Sequence, residues 1–127
     1  MVLCSGPYIY DEGFITLDAN QDYKPDYCVH LPPLPNEIMN GTWAEIYLIH
    51  GIEHFYYWDA MELMRNIYAA LEDGGFATFE QPNLRVVAET YLGMRGAIKD
   101  ETPEGWAIKA FYGDPAIENP YMGHRWG

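Results

Sequence analysis

A glycine turn and a carboxylate near the start of the chain have a spacing that could serve nucleoside binding. Residues 2–4 form a short apolar run that enters a turn at Ser5-Gly6, and the β-rich run 14–17 ends on Asp18. In nucleoside-binding α/β folds, such a turn admits the ligand to the backbone, and the acidic residue accepts hydrogen bonds from ribose hydroxyls. Gly6 and Asp18 are only twelve residues apart, which argues against a dinucleotide fold with its helix and about 20 intervening residues. A hairpin-like start with an ordinary turn is the alternative.

Two histidines and a glutamate follow the apolar run at residues 46–49. His50 could act as a base or position the reacting group of a substrate, since histidine titrates near neutral pH. The alternative is a half-buried histidine that is hydrogen-bonded to the backbone. His50 and His54 are four residues apart and would share one face of a helix. However, Glu53 does not stand as in His-Glu-x-x-His, and no third ligand has an obvious spacing. We therefore expect no metal site, and we expect Glu53 and His54 to be mainly structural.

Aromatic and polar residues after the later strands are candidates for substrate binding. Residues 55–58 are four consecutive aromatics, of which Tyr56 and Tyr57 could stack on a planar or sugar substrate. Glu80 and Gln81 end the next predicted strand and could orient an acceptor. For both pairs a purely structural role is the alternative. Cys4 is a nucleophile by residue type only, and nothing near it in sequence would activate the thiol.

Hydrophobic patterning predicts the elements that position these residues. The expected strands cover residues 2–4, 14–17, 27–30, 43–50 and 76–80. Helices are expected over residues 59–71, ended by a glycine cap within 72–75, and from an Asn83 N-cap to Gly93. Their expected core faces are Ala60, Met64, Ile67, Tyr68 and Leu71 in the first helix, and Leu84, Val87, Ala88 and Tyr91 in the second.

This order predicts an α/β fold with an open, mostly parallel sheet, in which ligands bind at the carboxyl ends of the strands. We expect one domain over residues 1–127, with a core over 1–93 and an irregular segment over 94–127 that contains a short helix near 104–111. The proline-rich loop 31–35 either leads out of the sheet or forms a rim of the ligand pocket. The expected strand ends are Ser5-Gly6, Asp18, His30-Leu31, His50-Gly51 and Glu80-Gln81.

Composition narrows the classes of partner. The chain has 19 acidic and 7 basic residues and a formal net charge of −12, so nucleic acid and anionic membrane surfaces are unlikely partners. Cys4 and Cys28 provide no disulfide framework, and we expect both thiols to be buried and reduced. The N-terminus lacks a basic region followed by an apolar run, and no apolar run approaches a membrane span, which leads us to expect a cytoplasmic protein.

In this order, the strand ends resemble those of class I S-adenosylmethionine-dependent methyltransferases, and in particular of short members without a helix after the first turn. The resemblance covers nearly the whole chain. It rests on VLCSG at residues 2–6, GFITLD at 13–18, LP at 34–35, AEIYLIHGIEH at 44–54, LEDGG at 71–75 and EQPNL at 80–84.

The resemblance implies S-adenosylmethionine as the cofactor, a Rossmann-like sheet and a small-molecule or sugar-linked methyl acceptor. It implies that His50 lies beside the reacting methyl group, and that cofactor contacts come from Cys4, Ser5, Gly6, Asp18, His30 and Leu31. Departures from the family pattern are the reduced glycine turn, His30 in place of an acidic residue, and the lack of the last two strands. That lack would leave the strand over 76–80 as an open edge, where a homo-oligomer could form. A non-catalytic cofactor-binding or protein-interaction domain of the same fold is the alternative.

Overall fold

The strands of the sheet run parallel and bring their carboxyl ends to one edge. The computed structural model describes residues 1–11, 13–96, 102–113 and 123–125. Within these ranges the sheet has five strands in the order β3-β2-β1-β4-β5. They are β1 (Val2–Leu3), β2 (Thr16–Asp18), β3 (Tyr27–Cys28), β4 (Trp43–Ile49) and β5 (Leu71–Glu80). The predicted α/β class and parallel sheet are confirmed for this part of the chain.

The centre of the sheet is apolar on both faces, as expected for a parallel sheet covered by other elements. Val2 and Leu3 of β1 are buried, and so are Ile46 and Leu48 of β4. The chain goes from β1 outward through β2 to β3, and then returns to the other side of β1 to form β4 and β5. Strands β2 and β3 therefore lie on one side of β1, and β4 and β5 lie on the other. The strand order reverses between β1 and β4, so the carboxyl ends of these two strands lie on either side of that point.

Three α-helices are present in the described residues: α1 (Tyr57–Ala70), α2 (Leu84–Tyr91) and α3 (Pro103–Tyr112). Asn83 caps α2 as predicted, since its side chain accepts hydrogen bonds from the amides of Arg85 and Val86. The short helix predicted near residues 104–111 is present as α3, which packs against α2. The rest of the predicted irregular segment lies largely outside the described residues. The longest described helix has 14 residues, and none there has the length and hydropathy to cross a membrane.

The predicted core faces of both helices are largely wrong. Helix α1 buries Leu63, Ile67 and Ala70, whereas Met64 and Tyr68 are exposed. Helix α2 buries Val87 and Thr90, whereas Leu84, Ala88 and Tyr91 are exposed. Apolar residues occupy more than one stripe of each helix, so periodicity alone selected the wrong stripe.

Three further boundaries differ from the expectation. Helix α1 ends on an extended residue, Leu71, and passes directly into β5, so no glycine caps it; Gly74 has a positive φ of 85° but lies within β5. Strand β3 ends at Cys28, which leaves His30 in the following loop. Cys28 is exposed rather than buried because it lies on the outer strand β3, which among the described residues pairs with β2 alone.

Strand β5 forms an edge of the sheet, as predicted. Among the described residues it pairs with β4 alone, and the rings of Phe76 and Phe79 on it are 51% and 40% exposed. The homo-oligomer at this edge stays a prediction.

Candidate functional site

A pocket of about 460 Å³ opens at the carboxyl ends of β1 to β4. It therefore lies where ligands bind in open parallel sheets, beside the reversal of strand order between β1 and β4. Its size is within the usual range for small-molecule sites, about 300–1,000 Å³. The lining includes Cys4, Gly6 and Tyr8 after β1, Asp18 at the end of β2 with Asn20 and Tyr23 after it, Val29, His30 and Leu31 after β3, and Ile49 at the end of β4 with His50, His54 and Asp59 after it.

Asp18 joins the turn after β1 to the end of β2. Its Oδ2 accepts a hydrogen bond of 2.8 Å from the Gly6 amide, and its Oδ1 accepts one of 2.8 Å from the Asn20 amide. The sequence places these residues together because β1 and β2 are paired in parallel register, Leu3 opposite Leu17. A carboxylate has about four acceptor sites, so Asp18 retains capacity for hydroxyl donors of a ligand in the pocket.

Two pocket residues that are not glycine have left-handed backbone conformations. Cys4 has a φ of 52° and His50 a φ of 50°. They end the adjacent strands β1 and β4, and such conformations cost free energy and cluster at functional sites. Gly51 allows this close approach, because a Cβ there would lie 3.1 Å from Cys4 Cβ and would clash with the Leu48 side chain. The two strand ends are thus fixed around the pocket by backbone geometry.

His50 is oriented by two carboxylates and one backbone bond. Its Nε2 lies 3.1 Å from Glu80 Oε1, and its Nδ1 lies 3.5 Å from Glu53 Oε1. Its amide donates to the Glu80 carbonyl oxygen over 2.8 Å. The imidazole is half-exposed and lines the pocket. The two carboxylates therefore orient the His50 ring at the pocket wall.

Cys4 lines the same pocket but is chemically unreactive in this environment. The pKa of its thiol is raised to about 12, chiefly by burial and to a smaller extent by the nearby carboxylates of Asp18 and Glu53. The thiolate is the nucleophilic form of cysteine. The thiol therefore contributes contact surface rather than a nucleophile, in agreement with the sequence-based expectation.

The structure brings together most of the predicted cofactor contacts but not the predicted substrate contacts. Cys4, Gly6, Asp18, His30 and Leu31 line the pocket together with the predicted catalytic residue, His50. Ser5 is buried beneath it, and its amide donates to the Leu17 carbonyl oxygen. The predicted substrate residues Tyr56, Tyr57, Glu80 and Gln81 are exposed and do not line the pocket.

Several residues of the site were not predicted from the sequence. Arg125 also lines the pocket, and its guanidinium carbon lies 5.0 Å from the centroid of the Tyr56 ring. His124 lies beside Glu53 and His54, with one ligand-type atom of each residue within 4.8 Å of the others. Burial lowers the pKa of His54, which the Glu53 carboxylate opposes. His124 and Arg125 are distant from the strand ends in sequence, so no local motif connects them to the pocket.

Comparisons with known proteins do not identify a family for this chain. No family model, curated protein or solved structure matches it.

Proposed function

We propose that this chain binds S-adenosylmethionine in the pocket and transfers its methyl group to a small-molecule or sugar-linked acceptor. The observation that carries the proposal is the hydrogen bond between the Gly6 amide and Asp18 Oδ2 across the ends of β1 and β2. This bond holds the Asp18 carboxylate and the turn at Gly6 together at the wall of one pocket, next to the point where the strand order reverses. This combination supports a Rossmann-like arrangement with a nucleoside-binding site.

The residues present fit the chemical parts of this cofactor. Asp18 would accept hydrogen bonds from the ribose hydroxyls, and Val29 and Leu31 would contact the adenine ring. Gly6 has a φ of 61° and no side chain to obstruct the ligand. The acidic chain, with a net charge of −12, favours approach of a cation such as the sulfonium compound.

His50 would act on the acceptor rather than on the cofactor. When bound, S-adenosylmethionine supplies an activated methyl group to an in-line nucleophile. The protein must then position the acceptor, exclude water and remove a proton. His50 would accept this proton at an imidazole nitrogen, and Glu53 and Glu80 would stabilise the resulting charge.

A second candidate function is cofactor binding without methyl transfer. It is favoured by one observation: the four residues predicted to bind the acceptor do not line the pocket. Calorimetric titration with S-adenosylmethionine and S-adenosylhomocysteine tests the binding that both functions share. Incubation of S-adenosylmethionine with pools of acceptors, with S-adenosylhomocysteine as the product measured, distinguishes them, because a binding domain forms no product.

A further inference from the structure

A second group of ligand-type side chains lies at the wall of the pocket, outside the proposed cofactor contacts. One atom each from Glu53, His54 and His124 lies within 4.8 Å of the other two. Glu53 and His54 belong to a short 3₁₀ helix, Ile52–His54, directly after β4. His124 comes from a segment near the end of the chain. The fold therefore brings together two parts of the sequence that no local motif connects.

Backbone hydrogen bonds hold His124 against the other two residues. The Arg125 amide donates to the Glu53 carbonyl oxygen over 2.7 Å, and the His124 amide donates to the Tyr112 carbonyl oxygen over 3.1 Å. The His124 and His54 rings meet edge to face with their centroids 5.0 Å apart. The segment that carries His124 is thus held by backbone hydrogen bonds to the end of α3 and to the 3₁₀ helix Ile52–His54.

Glu53 supplies an independent indication of a ligand. Its side chain is only 1% exposed, and within the described residues its Oε2 accepts no hydrogen bond. His50 Nδ1 approaches the other oxygen, Oε1, at 3.5 Å. A buried carboxylate oxygen without a partner is costly and rare in folded proteins. A bound cation would provide the partner.

The two histidines have the orientation typical of metal ligands. His124 Nδ1 lies 2.9 Å from the Ala110 carbonyl oxygen, and His54 Nδ1 lies 3.4 Å from the Gly123 carbonyl oxygen. A carbonyl oxygen only accepts hydrogen bonds, so a neutral ring that donates through Nδ1 to one of these oxygens would offer Nε2 to a metal ion. Metal-binding histidines are commonly oriented through the second nitrogen in this way.

We propose that Glu53, His54 and His124 bind a divalent transition-metal ion of the zinc class. Two imidazole nitrogens and one carboxylate oxygen form a donor set that Zn²⁺ accepts, with a fourth position for water or substrate. Ligand atoms on a tetrahedral zinc ion lie about 3.4 Å apart at the usual bond lengths, so atoms that are now as much as 4.8 Å apart would have to approach one another by up to about 1.4 Å. Because His54 also lines the pocket, the metal would lie beside any molecule bound there.

Calorimetric titration of the EDTA-treated full chain with Zn²⁺, without S-adenosylmethionine, tests the proposal. We expect one equivalent to bind with micromolar or tighter affinity. Glu53→Gln and His124→Asn should each weaken binding by at least about tenfold, the loss seen even for residues that only support ligands. His30→Asn and Cys28→Ser, which remove a histidine and an exposed thiol outside the cluster, should bind within about twofold of the wild type.

Two further measurements keep the test valid if a variant folds poorly. Zn²⁺ should raise the melting temperature of the wild type but not that of Glu53→Gln. In EDTA, the melting temperature of Glu53→Gln should be no lower than that of the wild type. Co²⁺ should give the intense visible absorption of a tetrahedral site in the wild type but not in Glu53→Gln or His124→Asn. Absence of stoichiometric binding to the wild type, or equal binding to all variants, would overturn the proposal. Neither result depends on the cofactor site.

Discussion

The Gly6 amide and Asp18 Oδ2 are joined by a hydrogen bond of 2.8 Å across the carboxyl ends of β1 and β2. The bond fixes the turn after β1 and directs the carboxylate toward the pocket. A nucleoside-binding site needs these two features in one place, and here parallel pairing of two short strands provides them without an intervening helix.

Gly51→Ala should destabilise the protein by about 1–3 kcal/mol, the usual cost of overpacking. The added Cβ would clash with the Leu48 side chain and approach Cys4 Cβ to 3.1 Å. Urea denaturation measures the loss. Gly96→Ala is the matched control, because a Cβ at Gly96 meets no atom within 4 Å. Equal stability of the two variants would show that the ends of β1 and β4 are not closely packed.

Cys4 should resist alkylation at pH 8, whereas Cys28 should react readily. With its pKa raised to about 12 by burial and nearby carboxylates, only roughly 10⁻⁴ of the Cys4 thiols are ionised at pH 8. Its reaction rate should therefore continue to rise up to pH 10 without reaching a plateau. Mass spectrometry after timed iodoacetamide treatment measures both sites, and rapid labelling of Cys4 at pH 8 would contradict the described environment.

His50→Asn should lower the rate of methyl transfer about 10²–10⁴-fold, the usual contribution of a general base. Asparagine tolerates the φ of 50° at this position, so the backbone should be retained. The affinity for S-adenosylmethionine should stay within about twofold, because His50 is assigned to the acceptor. A large loss of cofactor affinity with little change in turnover would reverse this assignment.

Sequence patterns located the strands well because each strand is a short apolar run that ends on a distinctive residue. The order of these strands and the helices between them predicted the parallel sheet. The Asn83 cap was predicted from the residue type that precedes the second helix, and helix α3 was also predicted. Helix faces were not, since α1 carries apolar residues around much of its circumference. The stripe that is buried, Leu63, Ile67 and Ala70, is selected by the position of the helix on the sheet.

The pocket was predictable to the extent that it is built from strand ends. Gly6 lies in the turn after β1, Asp18 ends β2 and His50 directly follows β4, so the positions of these residues follow from the topology. His124 and Arg125 are brought to the site by backbone bonds to Tyr112 and Glu53, which no spacing in the sequence indicates. Glu53 was expected to be structural, and the proposed metal site depends on its burial and on an oxygen that accepts no hydrogen bond from the part of the chain that the structure describes.

The most direct test of the central proposal is calorimetric titration of the wild type, Asp18→Ala and Asp73→Ala with S-adenosylmethionine. Asp73 is exposed near the start of β5 and outside the pocket, so its replacement controls for the loss of one negative charge. We predict micromolar binding to the wild type and to Asp73→Ala, and binding weaker by about tenfold or more to Asp18→Ala, as for loss of charge-assisted hydrogen bonds. Absence of binding to the folded wild type, or equal affinity of all three proteins, would contradict the proposed site.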